Sequence, residues 1–494
     1  MPAQPERRPK VFWFGPPPKD ELHEFKNRDL SLEINPPNPR VEFRFARSVV
    51  FRFNPQKPTR LFRDLKAHVV AAFDHGLEIM LVADDDIGQN AISEVQRKFP
   101  ILNMVWRRTA PALSEIAEKA ARYQPGPAEY PDLKINDDVK TGLSQEDRLL
   151  FRRAFWDCTQ IVARSLDEGR SGNVFSVHAT FRDSRVGPRP LPFFAKLDLK
   201  HKVMQEVENY RQFTEHFIPF SSRPNVDYSR CLVCSRNGII VGNFVEHSES
   251  LWDLAVRGHA NRAIHSLFDE ALSGWHLQAY QQDSPPLTRN LYEALNGPSG
   301  EAVNIEKFTE ERINTAFSMG ATLNPEELIG LAKSLAPVRY RSAPIHGDLH
   351  AKNVRVRGSD AILIDFYLTR LGPIVADPAS LESTLVFSAV DKKDKDESWI
   401  KTIDTLFERE YLENAPPPAK EPMPREWLWN CVRQIRQVAL GMQMSKFEYA
   451  AVLGIYALRC AMFKPDYPEE QRRRAYAYVI AERLLKMVAK EYPR

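Results

Sequence analysis

Three oxygen-bearing side chains lie close together in the sequence between residues 345 and 367. Asn353 follows Asp348 by five residues, and Asp365 comes directly after the next apolar run. A carboxylate can take the proton of an attacking hydroxyl, and carboxylate or amide oxygens are ligands that Mg²⁺ prefers beside nucleotide phosphates. These residue types in this order therefore indicate phosphoryl transfer.

The elements around these residues must bring their side chains to one place. Two apolar runs, residues 354–356 and 361–364, flank a turn that contains Gly358, and this pattern predicts a β-hairpin. Asp348 and Asn353 precede the first strand and Asp365 follows the second. The hairpin is therefore expected to gather the three residues at one end of a small sheet.

The sequence of this region resembles that of the aminoglycoside phosphotransferase and choline kinase-like family, which has a protein-kinase-like fold. The resemblance rests on His-Gly-Asp-Leu-His at 346–350 and on Ile-Asp-Phe at 364–366. Gly347 stands where protein kinases usually carry arginine, and Tyr367 stands where they carry glycine. Both departures favour the small-molecule branch, and the resemblance covers roughly residues 144–494.

The resemblance implies a role for each residue of this region. Asp348 would be the catalytic base, Asn353 and Asp365 would hold Mg²⁺, and His346 and Asp377 would steady the catalytic loop. The alternative is purely structural, with the same side chains serving as a turn residue, a cap and a strand end.

Residues 167–196 supply the nucleotide half of the predicted site. Ser171, Gly172 and Asn173 precede an alternating strand, and small residues there let backbone N–H groups approach phosphates. Lys196 ends the next apolar strand, and the resemblance assigns it to the α- and β-phosphates of ATP or GTP.

Helical geometry selects a glutamate to hold Lys196. Glu206 lies three residues after Val203 and four before Tyr210, beside an apolar stripe, whereas Glu208 points away from it. We therefore expect Glu206 to be the partner of the lysine.

The strand that follows resembles the hinge between kinase lobes, where backbone groups usually contact adenine. The hinge candidates are Phe244, Val245 and Glu246. Beyond the hinge, the sequence predicts helices that include residues 264–280, 305–319 and 325–335.

Composition limits the classes of function. With 43% hydrophobic residues, 27% charged residues and a net charge of +3, the chain reads as an ordinary globular protein. No basic run interleaved with aromatic residues indicates nucleic-acid binding. The most apolar stretch, residues 449–463, is too short to span a membrane and contains Arg459, so it is expected to be a buried helix.

The cysteines favour a reducing compartment. They number five and are scattered, which suggests free thiols in a cytoplasmic protein. Cys231 and Cys234 have a spacing used by zinc sites, but a second ligand pair is not evident, and two residues on a strand is the favoured interpretation.

The N-terminal region alternates strands and helices, with strands expected at 11–14, 77–83 and 102–106. This pattern predicts a small α/β layer domain, receiver-like or Rossmann-like, and regulation of the rest of the chain is one hypothesis for its role. The acidic run 84–86 follows a strand and is interpreted as a helix-capping loop in preference to a phosphoacceptor or metal site. A helix is expected from Ser144 to Leu166.

Together these features predict an α+β chain with a bilobal kinase-like part. We expect the α/β domain at 1–122, a linker at 123–143, an N-lobe at 144–247, and at 248–494 a C-lobe with a helical acceptor-binding subdomain.

The leading functional hypothesis is a Mg²⁺-requiring kinase that phosphorylates a hydroxyl of a small molecule or protein. The alternatives are a nucleotide-binding pseudokinase scaffold that signals through the N-terminal domain, and a fused sensor–kinase with a regulatory ligand or protein at that domain. Neither nucleic acid nor a membrane is expected as a partner.

Overall fold

The computed structural model describes most of the chain, which falls into two compact units. Unit 1 comprises Met1–Gln205 and Asn225–Phe244, and unit 2 comprises Glu206–Pro224 and Val245–Arg494. The described residues are 10–16, 18, 23–35, 46–53, 68–72, 75–98, 105–122, 130–138, 142–166, 173–183, 188–189, 191–234, 236–243, 245, 247–281, 284–296, 303–390, 397–419, 425–465 and 468–492.

A parallel sheet forms the N-terminal part of unit 1. Its strands are Lys10–Phe14 (β1), Ser31–Ile34 (β2), Ala46–Phe53 (β3), Glu78–Ala83 (β4) and Trp106–Thr109 (β5). They follow the order β2-β1-β3-β4-β5, and each neighbouring pair is parallel. The helices of this part are α1 (His23–Lys26), α2 (Asp86–Lys98) and α3 (Leu113–Arg122), with a further helical turn at 68–72.

Helices cover both faces of this sheet. Phe12 packs with Ile92 of α2 in one hydrophobic core, and Trp13 packs with Ile116 of α3 in another. Successive side chains of a strand point to opposite faces, so the two cores lie on opposite sides of the sheet. Asp85 accepts a hydrogen bond from Gly88 N at 2.9 Å, which agrees with the helix-capping interpretation of the acidic run.

A second, mainly antiparallel sheet completes unit 1. Its strands are Lys134–Asp137 (β6), Cys158–Ser165 (β7), Asn173–Phe181 (β8), Phe193–Leu199 (β9), Leu232–Val233 (β10) and Asn237–Asn243 (β11). Their order is β10-β11-β9-β8-β7-β6, with β6 and β7 parallel. Part of the segment predicted as a linker is thus an edge strand. Helix α4 (Gln145–Ala154) packs on this sheet, and helix α5 (Lys200–Asn209) follows β9.

The helix predicted from Ser144 to Leu166 is wrong in its second half. Helix α4 ends at Ala154, and the chain continues as β7, in which the buried residues Ile161 and Ala163 are separated by a partly exposed one. A short apolar run fits either period, and antiparallel pairing with β8 selected the strand.

Buried polar contacts join the parallel sheet to the second sheet within unit 1. Glu78 pairs with Lys200 at the start of α5, and its carboxylate lies 3.4 Å from Lys119 Nζ on α3. Arg153 Nη2 donates a hydrogen bond to His75 O at 2.5 Å. The parallel sheet is therefore attached to the helix that carries Glu206.

The five cysteines, all within the described ranges, are free thiols. Cys231 and Cys234 flank the short strand β10, which agrees with the strand interpretation of this pair. A Cβ on Gly76, which has a φ of +60°, would lie 2.5 Å from Cys234 Sγ, so this thiol packs directly against the parallel-sheet part.

Unit 2 is mainly helical. Its helices are α6 (Leu251–Val256), α7 (Asn261–His265), α8 (Ser273–Gln278), α9 (Leu291–Leu295), α10 (Glu310–Ser318), α11 (Pro325–Ser334), α12 (Ala376–Phe387), α13 (Glu397–Leu406), α14 (Arg409–Glu413), α15 (Glu426–Met442), α16 (Glu448–Met462) and α17 (Pro468–Glu491). Its strands are β12 (Glu249–Ser250), β13 (Leu287–Arg289), β14 (Val338–Tyr340), β15 (Ser342–Ile345), β16 (Val354–Arg357), β17 (Asp360–Leu363) and β18 (Arg370–Pro373).

The predicted elements of unit 2 are present with two exceptions. The helix expected at 305–319 is a 3₁₀ turn at Ile305–Lys307 followed by α10, which begins only at Glu310. The hairpin forms as β16 and β17, and α16 is buried along its length, as expected. The single helix expected at 264–280 is instead α7, a π-helical segment at Ser266–Ala271, and α8. Leu272 and Trp275 are fully buried around this change, so the apolar pattern alone does not reveal it.

A buried ion pair fixes the helix that follows the catalytic region. Glu382 of α12 and Arg436 of α15, both fully buried, lie 2.6 Å apart, and Tyr449 of α16 donates a hydrogen bond to Glu382 at 2.7 Å. Such a pair leaves an uncompensated charge when one partner is lost, so it holds the three helices together. Among the helices described, none combines the length and apolar character needed to cross a membrane.

The Glu78 contact predicts a measurable effect on stability. We expect Glu78→Gln to lower the free energy of unfolding by about 1–3 kcal/mol, because Lys119 and Lys200 lose their shared carboxylate in a partly buried position. Urea unfolding measures the change.

The matched control is Glu33→Gln, which breaks the more exposed Lys10–Glu33 pair of the same sheet, 2.9 Å long. It should cost less than about 1 kcal/mol. Equal losses of unfolding free energy in the two variants would show that the Glu78 contact stabilises the protein no more than an exposed ion pair does.

Candidate active site

The segment 346–353 links β15 to the hairpin and carries the predicted catalytic residues. Strand β15 pairs with β18, so Ile345 lies opposite Arg370 at the point where the loop begins. A 3₁₀ turn at Ala351–Asn353 leads directly into β16. The loop is thus anchored by a strand at each end.

Asp377, near the start of α12, holds the loop from within the unit. His346 N donates to Asp377 Oδ2 at 2.9 Å, and Gly347 N donates to Asp377 Oδ1 at 3.2 Å. Asp377 is 2% exposed. Burial raises the pKa of Asp377, while the nearby His346 and the two N–H groups act to lower it.

His346 connects the loop to the second strand of the hairpin. Its Nε2 lies 2.9 Å from Ile364 O, and because a carbonyl only accepts, Nε2 carries the proton. Its ring lies 5.6 Å from that of Phe366. His346 therefore ties the start of the loop to the residues on either side of Asp365.

Gly347 occupies a position that no other residue would fit. Its φ of +79° is left-handed, and a Cβ there would lie close to Leu368 O and to Arg370 Nη1. Arg370 is itself held by a hydrogen bond from Nη2 to Leu295 O at 2.9 Å. The close packing fixes the backbone immediately before Asp348.

Asn353 has the geometry of a residue that offers an oxygen. Its Nδ2 donates to Asp348 O at 3.0 Å, so its amide nitrogen is engaged within the loop. Its backbone also bonds the second strand, since Ile364 N donates to Asn353 O at 3.0 Å. The remaining side-chain oxygen of Asn353 suits a hard cation.

Asp348 and Asp365 are the more accessible carboxylates of this region. The side chain of Asp348 is 39% exposed, and its carboxylate lies 4.0 Å from His350 Nε2. Asp365 is half-buried and has a left-handed φ of +66°, a conformation that is uncommon outside glycine and frequent at functional sites. Asn353 and Asp365 each offer an oxygen donor of the type that Mg²⁺ prefers.

Asn209 is a residue of this region that the sequence-based prediction missed. Its Nδ2 donates to Phe366 O at 3.0 Å and to Tyr367 O at 2.8 Å, which holds the chain just after Asp365. It lies one helical turn after Glu206, so the same stripe argument could have marked it as inward-facing.

Lys196 lies in the middle of β9, and not at its end as predicted. Phe193, Ala195 and Leu197 belong to the hydrophobic core of the second sheet, so Lys196 projects from the opposite face. It is nevertheless only 4% exposed.

Helix α5 covers this opposite face of the sheet. Val203 packs so closely on Gly238 of β11 that a Cβ on the glycine would lie 2.9 Å from it. Glu206, three residues further along the helix, is buried, whereas Glu208 is exposed. The helix thus turns the two glutamates as the stripe predicts, while the pairing of Lys196 with Glu206 stays a prediction.

The other predicted nucleotide contacts fall partly outside the described residues. Ser171, Gly172, Phe244 and Glu246 lie outside them. Asn173 begins β8, and Val245 is half-buried just after β11.

The loop and hairpin of unit 2 lie within the part of the chain that matches a known family model. Residues 258–406 match the model of the phosphotransferase enzyme family APH. This match confirms the resemblance to the aminoglycoside phosphotransferase family over a segment that contains Asp348, Asn353, Asp365 and Asp377, and the protein is therefore a phosphotransferase.

Solved structures of small-molecule kinases resemble the chain at low sequence identity. An amicoumacin kinase bound to AMP-PNP and Ca²⁺ is 12% identical (TM-score 0.34), with 67% of this chain and 88% of that chain covered. A choline kinase from Cryptosporidium parvum Iowa II is 13% identical (TM-score 0.33), with 67% and 90% covered. A choline/ethanolamine kinase family protein from Mesorhizobium loti is 11% identical (TM-score 0.33), with 67% and 88% covered. No curated protein matched in sequence.

The packing at Gly347 gives a test of the loop. We expect Gly347→Ala to reduce turnover by about 10-fold or more and to lower stability by more than the ~1–2 kcal/mol of a left-handed alanine, because Leu368 O must move. Steady-state kinetics and urea unfolding measure the two effects.

Gly358→Ala is the matched control. Gly358 has a similar φ of +68° in the hairpin turn, but a Cβ there would meet nothing within 4 Å. It should show the backbone cost alone and retain turnover. Equal behaviour of the two variants would contradict a steric role for Gly347.

Proposed function

We propose that this protein transfers the γ-phosphate of ATP or GTP to a hydroxyl group in a Mg²⁺-dependent reaction. The single observation that carries this is the loop held by Asp377, which leaves the Asp348 carboxylate accessible beside the engaged amide of Asn353. Little covalent chemistry is needed from the protein in such a reaction, so positioning of charge accounts for most of the catalysis.

Asp348 is the residue that contacts the acceptor. Its carboxylate orients the hydroxyl and takes its proton as the phosphorus–oxygen bond forms. Its accessibility suits contact with a substrate, whereas His346 and Asp377 are buried and act by positioning the loop.

Asn353 and Asp365 are the proposed Mg²⁺ ligands. When bound, Mg²⁺ neutralises charge on the nucleotide phosphates. The backbone bond between Asn353 and Ile364 sets the relation between the two ligand positions, because Asp365 directly follows Ile364.

The nucleotide half of the site consists of Lys196 with Glu206, the loop residues Ser171, Gly172 and Asn173, and the hinge at 244–246. Lys196 is buried on the face of the sheet that α5 covers, and a buried ammonium group requires a charged or polar partner. Glu206 is the buried carboxylate that α5 turns to its covered side.

The acceptor is proposed to be the hydroxyl of a small molecule. The phosphotransferase family match supports this class, and Gly347 in place of the arginine of protein kinases agrees with it. A protein hydroxyl is the second candidate. The cysteines are odd in number, scattered and free, which supports location of the protein in a reducing compartment such as the cytoplasm.

The N-terminal parallel sheet is the proposed regulatory part. Its order, β2-β1-β3-β4-β5, is that of receiver-like and flavodoxin-like sheets. Its Glu78 pairs with Lys200, six residues before Glu206 on α5. A ligand or partner on this sheet could therefore influence the helix that holds the nucleotide lysine.

The role of Asp348 separates a kinase from a nucleotide-binding scaffold. We expect Asp348→Asn to lower turnover by ~100-fold or more, because the variant keeps the shape but loses the negative charge. Affinity for Mg²⁺-nucleotide should change by less than about tenfold. Labelled-phosphate transfer and equilibrium nucleotide binding measure the two quantities.

Asp365→Ala is the contrasting variant, because it should weaken Mg²⁺-nucleotide binding more than metal-free nucleotide binding. Full turnover in Asp348→Asn would show that Asp348 is not the base, whereas nucleotide binding without phosphate transfer in the unaltered protein would favour the scaffold over the kinase.

The two glutamates of α5 test the nucleotide half. We expect Glu206→Gln to raise the KM for nucleotide and lower turnover by about 10-fold or more, since a buried lysine loses its charged partner. Glu208→Gln, an exposed change on the same helix, should leave both unchanged. Nucleotide-dependent kinetics decide between them, and a stronger effect at Glu208 would show that another helix face carries the contact.

A further inference from the structure

Tyr456 of α16 brings a hydroxyl into the interior beside the catalytic loop. The residue is 3% exposed, and among the described residues its hydroxyl has no hydrogen-bond partner. Buried phenol hydroxyls normally find a partner, and one that does not calls for a reason such as a role in catalysis.

The surroundings of Tyr456 are those of the loop itself. Burial raises the pKa of Tyr456, and the charges of Arg459, Arg370, Asp377 and Asp348 act on it as well. The charges that act on the hydroxyl therefore include those of the aspartate that holds the loop and of the proposed base.

Arg459, one helical turn after Tyr456, fixes α16 against the loop. Its guanidinium lies 5.0 Å from the centre of the Tyr456 ring, and its Nη1 lies 3.4 Å from Gly347 O. The face of α16 that carries Tyr456 is thus directed at the residue immediately before Asp348. This helix lies beyond the segment matched by the family model, which ends at residue 406.

The hydrogen-bonding groups near Tyr456 limit which partner its hydroxyl can have. The two Asp377 oxygens each already accept one hydrogen bond, from His346 N and Gly347 N, and Arg370 and Arg459 offer only donors. The carboxylate of Asp348 accepts no hydrogen bond from the described residues, and His350 Nε2 lies 4.0 Å from it, so we take Asp348 as the open acceptor.

We propose that Tyr456 is a positioning residue for Asp348 in the phosphotransfer function proposed above. Its hydroxyl donates a hydrogen bond to the Asp348 carboxylate when the acceptor is bound, and so fixes the orientation of the carboxylate toward the reacting hydroxyl. The hydroxyl has no hydrogen-bond partner among the residues that the structure describes, so it is available for this contact.

The decisive variant is Tyr456→Phe, which removes only the hydroxyl. We expect kcat to fall by about 10-fold, the KM for nucleotide to stay within twofold, and the urea midpoint to stay equal or rise, because no existing hydrogen bond is lost. If the hydroxyl has only a structural role, Tyr456→Phe will either leave kcat unchanged or lower both kcat and the urea midpoint.

Tyr478→Phe is the matched control. Tyr478 of α17 is also buried, but its hydroxyl donates to Leu323 O at 2.9 Å. This variant should lower the urea midpoint and retain kcat, the opposite of the pattern expected for Tyr456→Phe.

A double-mutant cycle tests whether Tyr456 acts through Asp348. In an Asp348→Asn background, Tyr456→Phe should change the residual turnover by less than twofold. A full additional 10-fold loss would overturn the assignment. If Asp348→Asn alone retains turnover, the phosphotransfer role of Asp348 fails. If Asp348→Asn is impaired while Tyr456→Phe is not, only the role of Tyr456 fails.

Discussion

The buried carboxylate of Asp377 accepts hydrogen bonds from two backbone N–H groups. The conformation of the loop at 346–353 depends on this interaction. It fixes His346 and Gly347, and through them the direction in which the chain presents Asp348. Burial raises the pKa of Asp377, while the nearby His346 and the two donated hydrogen bonds act to lower it. The left-handed Gly347, packed against Leu368, follows from the same constraint.

Unit 2 surrounds this loop with helices that are themselves held by buried charge. The Glu382–Arg436 pair, joined by Tyr449, fixes α12, whose first turn carries Asp377. From another side, α16 presents Arg459 to the carbonyl of Gly347. The precision of the loop is thus a property of long-range packing, since its own short sequence contains too few contacts to define one conformation.

In unit 1 a buried lysine, Lys196, is the residue proposed to contact the nucleotide phosphates. Lys196 projects from the sheet face opposite the hydrophobic core, where α5 covers it and packs Val203 on Gly238. A charged group in such a position is costly unless it is paired, so the burial of Lys196 requires a polar or charged partner. The Glu78–Lys200 contact joins α5 to the N-terminal parallel sheet.

The sequence by itself predicted the candidate site residues and determined the hairpin next to them. Residue type and spacing defined Asp348, Asn353, Asp365 and the hairpin, because hairpin pairing is local and its turn is marked by Gly358. The spacing of apolar residues alone gave a wrong prediction at Cys158–Ser165, where a helix was expected. This segment pairs with β8 and is therefore a strand. Only the tertiary structure showed the contacts of Asn209, Arg459 and Tyr456, because hydrogen bonds and charge contacts between residues far apart in sequence leave no pattern in any one segment.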